Sequence, residues 1–263
     1  MQKVNSKDGT AIAFDKTGQG PTLILVSGAL GDRSAAIPIT PLLAPHFAVI
    51  AYDRRGRGES GDKAPYTIER EVEDIEALIK EAGASAFVFG HSSGAVLALE
   101  AAAHGLSITR LALYEPPFIV DDSRPPVPKD YVEQLNALVS AGRRGDAVEF
   151  FMTKAVGVPA EVVAQMQNMP MWANMENMAH TLAYDGEIMG DNMAGKPLRA
   201  RQWASIAAPT LVMDGGASEY WARNAVQALA DALPNAQRRT LEGQTHNVDP
   251  AMLAPVLVEF FQA

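Results

Sequence analysis

The chain has 263 residues, 48% of them hydrophobic, which fits one domain of generous size or a core domain carrying an insertion. Its formal net charge of −9 argues against nucleic acid or an anionic membrane surface as a partner. It has no cysteine, which excludes disulfides, thiolate metal sites and cysteine nucleophiles. No run approaches the roughly 18 uninterrupted apolar residues of a membrane span. The first residues, Met1-Gln2-Lys3-Val4-Asn5, lack the apolar stretch of a signal peptide, so a cytoplasmic location is the expectation.

From Val4 to Lys16 polar and apolar residues alternate around Asp8-Gly9, the pattern of an antiparallel hairpin. Leu23-Ile24-Leu25-Val26 is a short continuous apolar run, suited to a parallel strand covered on both faces, and it ends at Ser27-Gly28-Ala29-Leu30-Gly31. A helical stretch around Ala35 to Leu43 is interrupted by Pro38 and Pro41. The strand Phe47 to Tyr52 breaks at Asp53-Arg54-Arg55-Gly56-Arg57-Gly58-Glu59-Ser60. Ile68, Val72, Ile75, Leu78 and Ile79 recur at spacings of three and four, one face of an amphipathic helix.

Ala86-Phe87-Val88-Phe89 then leads into Gly90-His91-Ser92-Ser93-Gly94, followed at once by an alanine-rich helical run to Ala103. A buried strand ending in G-x-S-x-G and turning directly into a helix is the nucleophile-elbow pattern. The tight turn lifts the Ser92 hydroxyl above the sheet, and the helix N-terminus aims its N–H groups at any oxyanion formed there. Thr109 to Tyr114 is a further strand, ended by Glu115-Pro116-Pro117. Strands alternating with helices over this half indicate a parallel α/β sheet with right-handed crossovers.

From Phe118 to Trp203 the rhythm changes to short helical patterns behind a proline-rich linker, Arg124-Pro125-Pro126-Val127-Pro128. The α/β rhythm resumes with a strand at Thr210 to Asp214, a helix from Ala222 to Leu233 and a last strand from Gln237 to Leu241. The loop Gly243-Gln244-Thr245-His246 precedes a final amphipathic helix marked by Leu253, Val256, Leu257, Phe260 and Phe261. Residues 1–117 and 204–263 therefore form the expected sheet domain. Residues 118–203 form an expected helical cap over the C-terminal edge of the sheet, where ligands of open α/β sheets bind.

With these elements in place the chain resembles the α/β-hydrolase superfamily along nearly its whole length. The resemblance rests on Ser27-Gly28-Ala29, the Tyr52 to Ser60 turn, the Gly90 to Gly94 elbow and Gly243 to His246, in that order. It implies a mostly parallel eight-stranded sheet flanked by helices, and a nucleophile, an acid and a histidine in that chain order. Ser92 stands at the nucleophile position and His246 at that of the base, a role imidazole fills near neutral pH. His91 belongs to the elbow strand and should point away from Ser92, while His46, His104 and His180 fit helix ends or the cap. The oxyanion hole implied is the pair of backbone N–H groups of Ala29 and Ser93.

The acid departs from the usual pattern. Relatives commonly carry Gly-x-x-Asp beyond the penultimate strand, and here Gly215-Gly216-Ala217-Ser218 puts a serine in that place. Ser218 cannot stabilise an imidazolium as a carboxylate does. Glu115 is the expected substitute, because part of the superfamily takes its acid from the strand after the elbow and Pro116-Pro117 stiffens the backbone there. Asp214 and Glu219 are the alternatives. The arginine-rich turn after Tyr52 is expected to be structural, with Asp53 and Ser60 bonding the loop backbone.

Eight of the eleven methionines lie between Met152 and Met193. Flexible thioethers on a cap helix make an adaptable apolar roof, and Met171, Trp172 and Met175 are expected to line a hydrophobic substrate site.

The resemblance thus implies a serine hydrolase that cleaves a small or medium carboxylic ester of apolar character through an acyl-enzyme on Ser92, with no metal or organic cofactor. A serine elbow argues against haloalkane dehalogenase or epoxide hydrolase chemistry, for which relatives use aspartate. The same triad also serves C–C bond hydrolysis, lactone opening, thioester hydrolysis and perhydrolysis, which these residues do not separate from ester hydrolysis. In another class, members of the fold bind a ligand without turning it over, and Ser218 is the feature that favours that reading. The residues leave the oligomeric state open.

Overall fold

The computed structural model describes residues 1–199 and 202–263. The alternating N-terminal stretch forms the hairpin β1 (Gln2–Asn5) and β2 (Ala11–Thr17), with the Asp8 carboxylate accepting the Thr10 N–H in the turn at 2.9 Å. The continuous apolar runs become β3 (Thr22–Val26) and β4 (Ala48–Tyr52), in which every residue is buried. Between them the prolines limit helix to a 3₁₀ turn, Arg33–Ala36, and a single turn, α1 (Thr40–Leu43). The period-3.6 pattern folds as α2 (Ile68–Glu81). Then come β5 (Ala86–His91), α3 (Ser93–Ala103) and β6 (Ile108–Tyr114).

Among the described residues no strand lies between β6 and Thr210. That segment holds α4 (Tyr131–Ser140), α5 (Arg144–Phe150), a π-helical turn (Phe151–Val156), α6 (Ala160–Met166), α7 (Met171–Met178) and α8 (Leu182–Met189). The sheet resumes with β7 (Thr210–Gly215), α9 (Tyr220–Ala232), β8 (Ala236–Leu241) and α10 (Pro250–Gln262).

The strand order is β1-β2-β4-β3-β5-β6-β7-β8, antiparallel at β1–β2 and β2–β4 and parallel elsewhere. The chain winds outward from β3 to β4, then returns to β5 beside β3 and winds the other way. The order therefore reverses between β3 and β5. At such a reversal the connections leave a crevice at the carboxyl ends of the strands. Ser27-Gly28-Ala29 follows β3 and Ser92 follows β5, so the fold sets both at that crevice.

One face of the sheet packs on α2, α3 and α9 through Val72, Ile75, Val96, Leu99, Val226 and Leu229. The other packs on α1 and α10, where Leu253, Leu257, Phe260 and Phe261 meet Leu43 and Phe47. Leu135, Trp172 and Leu182 of the inserted helices belong to the first of these cores, so the insertion shares its apolar interior with the sheet. Its two ends are joined: the rings of Phe118 and Trp203 stack at 5.6 Å, and Trp203 Nε1–H donates to Glu100 of α3 at 2.9 Å. No helix among the described residues is long and apolar enough to cross a membrane.

Trp203 is 1% exposed. Trp203→Ala is expected to cost about 3–5 kcal/mol of folding stability, through the cavity and the unpaired Glu100 carboxylate it leaves. Denaturant unfolding followed by far-UV circular dichroism measures it.

Candidate active site

Backbone sterics define the elbow. A Cβ on Gly90 would come within 2.6 Å of Ala95 Cα, and one on Gly94 within 2.5 Å of the Ser27 carbonyl oxygen. Only glycine lets β3, β5 and α3 approach this closely. Ser92 between them takes φ 57° and ψ −128°, a region L-residues avoid, while its N–H donates to the Tyr114 carbonyl at 2.9 Å. Among the described residues three other non-glycine positions have positive φ, and two of these, Leu30 and Glu115, border the same crevice. Strained backbone held by its surroundings is characteristic of functional sites.

Glu115 follows directly on β6 and is 2% exposed. Its Oε2 lies 2.8 Å from His246 Nδ1. Its Oε1 accepts the Gly215 N–H at 2.8 Å and the Ser218 hydroxyl. Ser218, where relatives commonly carry aspartate, therefore donates to the carboxylate that meets His246. Burial works to raise the Glu115 carboxyl, but the bonds from His246, Ser218 and Gly215 hold it below its ordinary range, so it stays ionised. An ionised acceptor at Nδ1 fixes the proton there and leaves Nε2 as the basic nitrogen.

The loop carrying His246 is held from the strand ends. Tyr114 Oη–H donates to the Thr245 carbonyl at 2.7 Å, and His91 Nε2–H to the His246 carbonyl at 2.9 Å. His91 packs beside His246, with ring centroids 4.8 Å apart. Burial, with His246 next to it, pushes the His91 pKa down to about 4, so the ring is a neutral donor near pH 7.

The alternative acids are engaged elsewhere. Asp214 is fully buried within β7 and accepts from Arg238 at 2.9 and 3.1 Å and from Thr240 at 3.0 Å. Glu219 precedes α9 and lines the cavity described next, without a bond to His246.

Ser92, His246, Ala29 and Ser93 line a cavity of about 540 Å³. Its remaining wall is mostly apolar: Tyr131, Phe151, Met152, Val156, Met189, Met193 and Trp221. A second cavity of about 600 Å³ meets the first at Ala29, Ser92, Phe151 and His246 and extends between Ile39 and Leu253. Among the described residues of the first lining there is no lysine or arginine, whereas Glu115, Asp185 and Glu219 are present. Nor do three His, Asp or Glu side chains converge anywhere among the described residues as a metal site needs.

Met171, Trp172 and Met175 are not part of this wall. Met171 is 48% exposed, Met175 packs against the core from the edge, and Trp172 donates to Glu176 at 3.1 Å beside a separate shallow depression with Met169 and Pro170. The reason is packing: α7 lies against α5 on the outside of the insertion, while the π-helical turn and α8 face Ser92. Methionines do line the cavity, but they are Met152, Met189 and Met193. Helical spacing marks an apolar face without showing which helix of several is innermost.

The arginine-rich turn bonds its own backbone, as the family resemblance implied. Asp53 accepts the Arg33 and Glu59 N–H groups at 2.8 Å each, and Ser60 Oγ–H donates to the Asp53 carbonyl at 2.6 Å. Sequence reasoning missed what the arginines themselves do. Arg54, Arg55 and Arg57 are at most 1% exposed, and Arg54 and Arg57 both bind Asp185 of α8. No local signal marked the pairing, because Asp53 and Glu59 stand closer in the chain to these arginines than Asp185 does.

Glu115→Gln is expected to lower kcat about 10³–10⁴-fold, since a neutral partner no longer stabilises the imidazolium or its tautomer. Asp214→Asn should keep turnover near that of the unaltered protein while lowering its unfolding midpoint; the reverse pattern in steady-state rates would reassign the acid. For His91 the unfolded ring binds its proton near pH 6.5 and the folded ring only near 4. Its stabilising contribution is therefore complete above pH 6.5 and lost as pH falls towards 4. His91→Gln, which keeps an N–H donor, should lose less melting temperature across that interval than the unaltered protein.

A sequence model of the alpha/beta hydrolase family matches residues 23–258. The crystal structure of an alpha/beta hydrolase from Sphaerobacter thermophilus DSM 20745 superposes with a TM-score of 0.92 and 60% identity, over 99% of this chain and 100% of that one. The uncharacterized hydrolase YraK of Bacillus subtilis (strain 168) is 35% identical over 96 residues, 35% of each protein. The probable oxidoreductase EphD of Mycobacterium tuberculosis is 36% identical over 100 residues, covering 35% of this chain but 17% of that protein. The chain thus matches about a third or less of the length of these two curated relatives. The family match spans most of the chain, and the chain belongs to the alpha/beta hydrolase family.

Proposed function

We propose that this protein is a serine hydrolase that cleaves carboxylic esters of apolar character through an acyl-enzyme on Ser92, with residues 118–203 acting as the cap that shapes its substrate pocket. The observation that carries the reading is the Glu115 carboxylate 2.8 Å from His246 Nδ1, on the wall of the mostly apolar cavity that Ser92 also lines.

In this reaction His246 Nε2 takes the Ser92 hydroxyl proton as Oγ bonds to the ester carbonyl carbon. The carbonyl oxygen becomes an oxyanion held by the Ala29 and Ser93 N–H groups. The bond to the alcohol oxygen breaks, and the proton on His246 passes to the leaving alcohol. Water, deprotonated by the same nitrogen, then attacks the acyl carbon, and the Ser92 ester bond breaks to release the acid and restore the hydroxyl. Glu115 stays ionised throughout and stabilises the transient imidazolium.

The cavity lining supports a neutral, apolar substrate. A substrate bearing its own carboxylate would find no lysine or arginine to pair with among the described lining residues. Ser218 was the sequence feature favouring a non-catalytic binder. Its hydroxyl on Glu115 instead fits a triad whose acid has moved to β6.

A fluorophosphonate probe should label one serine per chain, and Ser92→Ala should abolish the labelling. On p-nitrophenyl esters, each methylene buried is worth ~0.8 kcal/mol, about fourfold in kcat/KM, until the cavity is full. A rate that is flat or falls from acetate onward, in a protein that is labelled, counts against an apolar acyl substrate.

A further inference from the structure

Asp185 lies in α8, 4% exposed, with its carboxylate between three side chains of the sheet domain. Oδ1 accepts from the Ser93 hydroxyl at 2.7 Å and from Arg54 Nη1 at 2.8 Å, and Oδ2 accepts from Arg57 Nη2 at 2.7 Å. The other nitrogen of that Arg57 fork, Nη1, donates to the Gly28 carbonyl at 2.6 Å and to the Gly31 carbonyl at 3.2 Å. Arg54 is itself held by Glu71 through two bonds of 2.8 Å, so its position does not depend on Asp185.

Two of these contacts end on the proposed oxyanion donors. The Gly28 carbonyl and the Ala29 N–H belong to one peptide unit, and a planar trans peptide directs its oxygen and its hydrogen to opposite sides. A charge-assisted bond from Arg57 to that oxygen therefore sets the direction of the Ala29 N–H and polarises it as a donor. The second donor is the N–H of Ser93, whose side chain is tied to Asp185 directly. Both donors are thus referenced to one carboxylate that comes from the inserted helices. Asp185 also lines the cavity, so the group that holds the donors sits beside the space the acyl chain would fill.

We propose that Asp185 is a positioning residue for the oxyanion hole: through Ser93 and through Arg57 on the Gly28–Ala29 peptide, it makes the alignment of both donors depend on α8 being docked. The inference rests on the Ser92 acyl-enzyme reading. Burial alone would raise the Asp185 carboxyl, but Arg57 and Arg54 outweigh it and hold the group ionised, as an acceptor of three bonds must be.

Asp185→Asn and Ser93→Ala test it, with three readouts on each: fluorophosphonate labelling of Ser92, kcat and KM on the best p-nitrophenyl ester, and affinity for a trifluoromethyl ketone with the same acyl chain. The ketone adds to serine as a tetrahedral oxyanion and so reports on the donors rather than on the pocket. Loss of one whole donor costs roughly 10²–10³ in kcat. Misalignment in Asp185→Asn should therefore lower kcat about 30-fold or more with KM little changed, and weaken the ketone in parallel. Ser93→Ala, which removes one hydroxyl and keeps the N–H, should show the same split at about 5–10-fold. It decides the matter if Asp185→Asn, which leaves buried guanidinium charge unpaired, does not fold. Ketone affinity and kcat unchanged in a labelled Ser93→Ala overturn the role of Asp185 while leaving the nucleophile in place. A rise in KM alone overturns it too, by making Asp185 a pocket residue. No labelling of the unaltered protein fails the Ser92 reading instead.

Discussion

The arrangement around Ser92 depends on one carboxylate reached from two directions. Glu115 receives His246 on one oxygen, and the Gly215 N–H with the Ser218 hydroxyl on the other, so β6, β7 and the loop after β8 share a single anchor. The backbone bends to place it: Glu115 has φ 45°, a conformation costing on the order of 1–3 kcal/mol for a side chain that is not glycine. Three bonds to an ionised acceptor offset that cost, because charge-assisted bonds are about twice as strong as neutral ones. A carboxylate at the end of β6, in place of one in the loop after β7, changes only the strand that supplies the partner of His246.

A second set of charges lies below the site. Arg54, Arg55 and Arg57 are buried with Glu71, Asp74, Asp8 and Asp185 in pairs between 2.7 and 3.2 Å. Buried ion pairs contribute little net stability relative to well-packed apolar groups, yet removing one partner costs about 3–5 kcal/mol. Such a network is therefore an effective specifier of arrangement. It allows α8 only the docking in which Asp185 meets both guanidiniums. Tyr66 and Tyr184, stacked at 3.9 Å, join the same two parts of the chain, and their hydroxyls donate to Glu71 and Asp62 at 2.8 Å each.

The fold was legible because its signals are local. Continuous apolar runs gave β3, β4 and β7, spacing of three and four gave α2, and the glycines at 90 and 94 are where backbones must touch. Ser92 and His246 were singled out by the family resemblance from their places in the chain, and the structure brings both to one cavity. Glu115 was singled out for a subtler reason: Ser218 replaced the usual carboxylate, few others remained at strand ends, and in the structure Glu115 is the one that meets His246. What sequence could not give was depth. The methionines of α7 and of α8 have the same character, and only packing distinguishes Met171 on the outer surface from Met189 on the cavity wall. Asp185 was hidden likewise, because its partners are 128 and 131 positions away in the chain.

The lining without lysine or arginine also bears on the end of the catalytic cycle. A neutral ester that enters such a cavity leaves it as an alcohol and a carboxylate, and the carboxylate is formed beside Glu219 and Asp185 in surroundings of low dielectric. Desolvation disfavours the acid where it is made, since no lysine or arginine among the described lining residues receives it. On the proposed reaction, the wall that accepts the ester holds its acid product less well, so the acid departs down a gradient of its own solvation and the cavity is cleared for the next turnover.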